Sequence, residues 1–343
     1  METKKLAKTE IKKAAELLKN GELVAFPTET VYGLGAIATN ETAVKNVYLA
    51  KGRPSDNPLI IHVTDLEMVA RYAKNIPKNA EILAEHFWAG PLTIILPLKE
   101  GILPSVVTGG LNTAAFRVPN NQDTLALIKE VGEGIVGPSA NTSGKPSPTS
   151  AAHVLHDLNG KISAVLDGGV SEIGVESTVV DLSIPDVATI LRPGAITEEM
   201  LNSLIPHVKM DEHFLSEKEK PKAPGMKYTH YSPNAKVYIT EATPESFLAA
   251  INWAKAQGMS IGLLADKEIL ALFQNQVTAT FELTTLHNIK LATKRLFEGL
   301  RALDEQNVEV IFAESFEEIG LGVAFMNRLK KAAGGEEFGG GRG

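Results

Sequence analysis

Between Pro206 and Pro233 the chain shows neither helical nor strand periodicity; it carries the charge run SEKEKPK and then APGMKYTHYSP. A structureless stretch of about 25–30 residues is longer than most connections inside one compact domain. The chain has 343 residues, whereas single cores stop growing near roughly 250–300. Both facts predict two domains, 1–205 and 235–343, joined by a linker over 206–234.

The two sides of the break differ in pattern. On the N-terminal side, helical spacing is expected over 10–20, 41–51, 121–131 and 150–158. Short apolar runs over 23–26, 59–63, 93–98, 135–136, 162–167 and 177–183 read as strands. Their irregular alternation predicts an α/β domain with a mixed sheet. After residue 234 the alternation is cleaner. Strands are expected over 237–240, 261–265, 278–283 and 308–312, with helices over 245–256 and 291–303. That order predicts a smaller parallel α/β domain of Rossmann-like type.

The absence of cysteine rules out disulfides, thiolate catalysis, thiolate zinc sites and Fe–S clusters, and fits a cytoplasmic protein. Lys plus Arg number 34 and Asp plus Glu 41, a net charge of −7. An overall field that gathers nucleic acid or anionic membrane is not expected, though a local basic pocket remains open. The N-terminus lacks the apolar core of a secretory signal. No run approaches 18 apolar residues, so no membrane-spanning helix is expected. There is no G-x-x-x-x-G-K-[ST] and no G-x-S-x-G. His153 and His156 share a helix face without a carboxylate at ligand spacing, which reads as a solvated face.

Four segments carry more chemistry than plain loops require. Pro27–Gly35 (PTETVYGLG) packs hydroxyls, a carboxylate and glycines just after a strand end, where ligands bind in open α/β sheets. Lys51–His62 (KGRPSDNPLIIH) places Lys51 and Arg53 at a helix end, before a loop stiffened by Pro54 and Pro58. Two cations on a rigid loop suit polyphosphate. Arg117 follows Phe116 in an apolar context and needs an anionic partner or a ligand. Gly137–Thr149 (GPSANTSGKPSPT) is dominated by short hydroxyl and amide side chains suited to a small polar ligand.

In this order, and with FRVP, ESTVVDLS, LRPGAI and PGMKYTHYSP, these segments resemble the threonylcarbamoyl-AMP synthases, the YrdC-like family, in its two-domain form. The resemblance is strong over about residues 8–235. It implies a catalytic domain with a twisted mixed sheet and a large concave cavity. It implies synthesis of L-threonylcarbamoyladenylate and pyrophosphate from L-threonine, bicarbonate or CO2, and ATP, with Mg²⁺ accompanying ATP and no dedicated protein ligands for it. The product then serves a downstream tRNA threonylcarbamoyl transferase complex, so tRNA is met only indirectly. By the same resemblance, Lys51, Arg53, Ser139 and Asn141 form the catalytic set. Thr30, His62, Arg117, Ser139 and Ser177 hold threonine. Lys51, Arg53, Asn57, Thr113, Asn141, Thr149, Arg192 and Tyr231 hold ATP.

Tyr228, His230 and Tyr231 are three rings close together in a tether rich in Pro and Lys, which suggests that residues 222–233 fold over ATP as a lid. Two readings of other classes stand beside the synthase. One is an RNA-binding YrdC-like module without chemistry. The other is a dinucleotide-dependent oxidoreductase, from the G-x-G-x-x-A pattern Gly33–Ala38.

Overall fold

A computed structural model of the chain describes residues 2–211, 221 and 231–339. The chain divides into two compact units. The first holds residues 1–143, 148–172 and 176–228; the second holds 144–147, 173–175 and 229–343.

The first unit is built on one mixed sheet. Its described strands in chain order are β1 (Lys4–Leu6), β2 (Val24–Phe26), β3 (Gly33–Ile37), β4 (Ile60–His62), β5 (Leu92–Pro97), β6 (Thr113–Arg117), β7 (Ile135–Val136), β8 (Ala164–Leu166), β9 (Thr178–Asp181), β10 (Ala188–Arg192) and β11 (Val208–Met210). They lie in the order β1-β8-β2-β3-β7-β4-β6-β5-β9-β10-β11. β4 and β6 run parallel, as do β5 and β9, whereas β3, β7 and β4 alternate in direction. The expected mixed sheet is therefore present. β11 lies inside the stretch read as linker and pairs in parallel with β10.

The helix Glu41–Lys51 forms where its spacing predicts. The Asn40 side chain caps it by accepting from Ala43 N, and Gly52 ends it in the left-handed conformation at φ 63°. Its buried stripe runs Val44, Val47, Tyr48, Lys51. Lys51 falls on that stripe by helical period, so the helix delivers an ammonium inward.

The dinucleotide expectation at Gly33–Ala38 does not hold. Gly33–Ile37 is a fully buried strand, paired antiparallel with Val24–Phe26. A Cβ on Gly33 would lie 2.7 Å from the Phe26 ring, and one on Gly35 would lie 2.7 Å from Val24 O. The glycines let two strands and an aromatic ring close-pack; their amides belong to a ladder and do not face a pyrophosphate.

The second unit is a parallel sheet with strands β12 (Lys236–Thr240), β13 (Ile261–Asp266), β14 (Ala279–Thr284) and β15 (Val310–Glu314). They lie in the order β12-β15-β13-β14, all pairs parallel. Helices Pro244–Ala256 and Ile289–Glu305 make crossovers as the alternation predicts; Lys267–Phe273, which the alternation does not predict, makes the third. Phe247, Ile251, Leu263 and Phe312 anchor its core.

Candidate active site

Lys51 organises one part of the site. Its residue is only 2 % exposed. Its Nζ donates to the carbonyl oxygens of Ser139 and of Asn141, the latter at 2.7 Å, and approaches Asn141 Oδ1 at 3.4 Å. Ser143 N returns a bond to Lys51 O at 2.8 Å. The same turn is tied to the PTETVYGLG segment, since Leu34 N donates to Pro138 O at 2.7 Å and Ala140 N to Tyr32 O at 2.8 Å. Residues far apart in sequence, Lys51, Ser139 and Asn141, thus meet in space.

Arg53 and Asn57 sit on the stiff loop after the helix. Tyr48 holds that loop from beneath, its hydroxyl lying 2.9 Å from both Asn57 O and Val106 O. Burial, the largest cause, pushes the Tyr48 hydroxyl up to about 12, so it stays a donor at neutral pH. Asn57 is 1 % exposed, and among the described residues neither amide atom of its side chain has a hydrogen-bond partner. A buried amide without partners is one whose bonding a water or a ligand can complete.

A second group gathers at the far end of the β4–β6 pair. His62 lies opposite Arg117 in the ladder. Arg117 is buried; Nε donates to Gly90 O at 3.2 Å and Nη1 to Thr30 Oγ1 at 2.8 Å. Its Nη2 lies 2.7 Å from Glu29 Oε2. The Thr30 hydroxyl also meets that of Thr28 at 2.8 Å. Ser177 is reached through Pro91 O, which accepts from Thr178 N at 3.0 Å. Arg192 donates to Ser177 O at 3.0 Å and to Ser177 Oγ at 3.1 Å, while Thr93 Oγ1 lies 2.8 Å from the same hydroxyl. Arg192 and Ser177, assigned by resemblance to ATP and to threonine respectively, are therefore in direct contact.

Thr113 and Arg117 stand at opposite ends of β6, about 13 Å apart at strand rise. Thr149 is buried, with its backbone N 3.2 Å and its hydroxyl 3.3 Å from His153 Nδ1. Tyr231 belongs to the second unit, where its ring packs on Phe297 at 5.1 Å between centroids. Most of the expected lid, including Tyr228 and His230, lies outside the described residues.

Glu29 was not singled out from the sequence. Arg117 in its apolar setting called for an anionic partner, and Glu29 is that partner. The signal available was one carboxylate between two threonines in PTETV.

His62 is fully enclosed; the Phe26 ring meets it edge-on at 5.2 Å, and Gly137 leaves the room it needs, since a Cβ there would lie 2.6 Å from Nδ1. Burial first, and the Arg117 cation second, hold its pKa well below the ordinary value of 6.5. The imidazole is thus neutral at pH 7. A folded value below the unfolded one means that the unfolded chain takes the proton more readily. The stability this group contributes is intact above about pH 6.5 and is lost as pH falls below it. Denaturant unfolding of the first unit between pH 7 and pH 5 should show this loss, up to about 1.4 kcal/mol per pH unit from one group. His62→Gln should flatten the slope; an unchanged slope would remove His62 as its source.

Among the described residues, no group of three or more His, Asp or Glu is placed to hold a metal ion, and no helix is long and apolar enough to cross a membrane.

Comparison with known proteins gives the family. A family model described as "Telomere recombination" (Sua5, YciO, YrdC) matches residues 16–194, and one described as "Threonylcarbamoyl-AMP synthase, C-terminal domain" matches residues 196–334. The Bacillus subtilis threonylcarbamoyl-AMP synthase is 46% identical, covering 95% of this chain and 93% of that protein. The Pyrococcus abyssi synthase is 45% identical, covering 94% of each. The solved structure of P. abyssi Sua5 complexed with L-threonine superposes with a TM-score of 0.90 at 42% identity, covering 98% of this chain and 99% of that one. Fold and site define an enzyme of the YrdC-type α/β class, extended by a C-terminal α/β domain. Within that class, the chain belongs to the threonylcarbamoyl-AMP synthase family, two-domain form.

Proposed function

We propose that the chain joins L-threonine, bicarbonate or CO2, and MgATP into L-threonylcarbamoyladenylate and pyrophosphate, for threonylcarbamoyladenosine modification of tRNA. The observation that carries this reading is a set of three buried cations, Lys51, Arg117 and Arg192, hydrogen-bonded respectively to Ser139 and Asn141, to Thr30, and to Ser177. These are the residues the family resemblance assigns to threonine and ATP.

The chemistry needs positioning and charge neutralisation more than covalent help. The threonine ammonium gives up a proton to solvent, and the freed amine bonds to the carbon of CO2 and releases a second proton, giving a carbamate. A carbamate oxygen then attacks the α-phosphorus, and pyrophosphate leaves with the electron pair of the broken P–O bond. Lys51 and Arg53 neutralise phosphate charge. Asn57, Thr113, Asn141 and Thr149 hold the nucleotide, and Arg192 closes the phosphate end beside Ser177. Thr30, His62, Arg117, Ser139 and Ser177 hold threonine. Neutral His62 can hydrogen-bond the amino acid without adding charge. Mg²⁺ enters on the triphosphate as part of the substrate. The adenylate passes to a separate tRNA transferase, in the cytoplasm, and an acidic chain needs no RNA-binding surface for that.

The test is pyrophosphate release with L-threonine, bicarbonate and ATP, each omitted in turn. Release should require all three, and Arg117→Lys should weaken threonine binding. Release independent of threonine would overturn the reading; salt-sensitive tRNA binding with no release would favour an RNA-binding module.

A further inference from the structure

The residues assigned to threonine by resemblance are Thr30, His62, Arg117, Ser139 and Ser177, and none carries a negative charge. Free threonine is a zwitterion. Arg117 suits its carboxylate, but its α-ammonium would enter a buried site with no counter-charge, which is costly. One acid stands where the missing charge is needed. Glu29 precedes Thr30, its side chain is 4 % exposed, and it faces Arg117.

The bonding of Glu29 is incomplete. The 2.7 Å approach to Arg117 is an ion pair by distance, yet among the described residues neither carboxylate oxygen has a hydrogen-bond partner in proper geometry, and neither does Arg117 Nη2. A buried carboxylate ordinarily accepts several hydrogen bonds. One cation beside it offsets its charge but leaves its lone pairs unused. An ammonium, with three donors and a positive charge, supplies what is lacking. Thr30 and Arg117 adjoin the acid directly, through the chain and through the ion pair. A zwitterion could then bridge Arg117 and Glu29, carboxylate on one and ammonium on the other. Arg117 would keep its bond to Gly90 O throughout.

We propose that Glu29 is the residue that receives the α-ammonium of the amino-acid substrate, making the site select zwitterionic amino acids over hydroxy acids of the same shape. This rests on the threonine-using function proposed above and adds the residue that reads the nitrogen. Glu176, next to Ser177, is another buried acid close in sequence to the threonine set and serves as the internal comparison.

The experiment compares binding of L-threonine and of (R)-3-hydroxybutanoate, which keeps the carboxylate and hydroxyl and lacks the nitrogen, to the full chain by calorimetry. Wild type should prefer threonine. In Glu29→Gln, whose side chain has nearly the same shape and can still accept from Arg117, threonine affinity should fall about 10- to 100-fold, the scale of a charge-assisted bond. Affinity for the hydroxy acid should change less than about threefold. Glu29→Asp should recover part of the preference, and Glu176→Gln should retain it. Equal losses for both ligands in Glu29→Gln would reduce Glu29 to a prop for Arg117 and overturn the proposal. So would unchanged threonine binding, or a selective loss in Glu176→Gln. If Glu29→Gln does not fold, Glu29→Asp decides by the same ratio of affinities. Wild-type pyrophosphate release that requires threonine, alongside a failed discrimination, would sink this inference alone; no threonine dependence in wild type would sink both.

Discussion

Replacing Arg117 with methionine should lower the stability of the first unit by about 3–5 kcal/mol, the usual result of removing one member of a buried ion pair. Arg117 and Glu29 side chains are 5 % and 4 % exposed, so solvent cannot replace the lost partner. The substitution also removes the donors to Gly90 O and Thr30 Oγ1. If the uncompensated Glu29 charge is the main cost, adding Glu29→Gln should recover more than half of the loss. A double variant as unstable as Arg117→Met alone would place the cost in the lost hydrogen bonds. The two units can unfold separately, so one global midpoint would blur the result. The two tryptophans help here: Trp88 lies in the first unit and Trp253 in the second. In a Trp253→Phe background, fluorescence in urea reports Trp88 alone. Trp88 bonds Leu92 O at 2.8 Å, close to the Gly90 carbonyl that Arg117 uses.

What the sequence reveals follows the range of the interaction concerned. The helix Glu41–Lys51 is legible because its cap, its apolar period and its glycine stop are all local. The parallel second sheet is legible for a similar reason, since its apolar runs stand out locally, although the short helix Lys267–Phe273 between two of them does not. Gly33–Ile37 reads as a turn because glycine is locally permissive. It is a strand because the Phe26 ring occupies the space a side chain would need, and that is a fact of packing. The helices Leu66–Tyr72 and Lys78–Phe87 are short and went unread despite the Asp65 cap of the first. The site divides in the same way. Lys51 and Arg53 announce themselves by their loop, and the rest of the set came through family resemblance. Glu29 stayed hidden because its meaning depends on Arg117, which only the sheet brings to it.

Lys51→Met should cut pyrophosphate release by about 100- to 1,000-fold, the scale seen when one preorganised electrostatic donor is removed from an active site. Its ammonium is buried on the inner stripe of its helix, and the oxygens of Ser139 and Asn141 around it are neutral. Low exposure to water strengthens the field of that ammonium. The same bonds pin the Ser139–Asn141 turn, so methionine removes both a charge and a tether. Lys51→Arg separates the two roles. It restores the charge, but a planar fork fits poorly where a compact ammonium sat between two carbonyls. If charge dominates, arginine should recover at least a tenth of wild-type release. If the tether dominates, arginine should be as inactive as methionine. Threonine affinity measured without ATP should fall far less than pyrophosphate release in either variant, because only Ser139 of the threonine set lies on the turn that Lys51 pins, whereas Arg117, Thr30 and Ser177 are held by bonds that do not involve Lys51. A large loss of threonine binding in Lys51→Met would show that the turn, and not the charge, is the main contribution of Lys51.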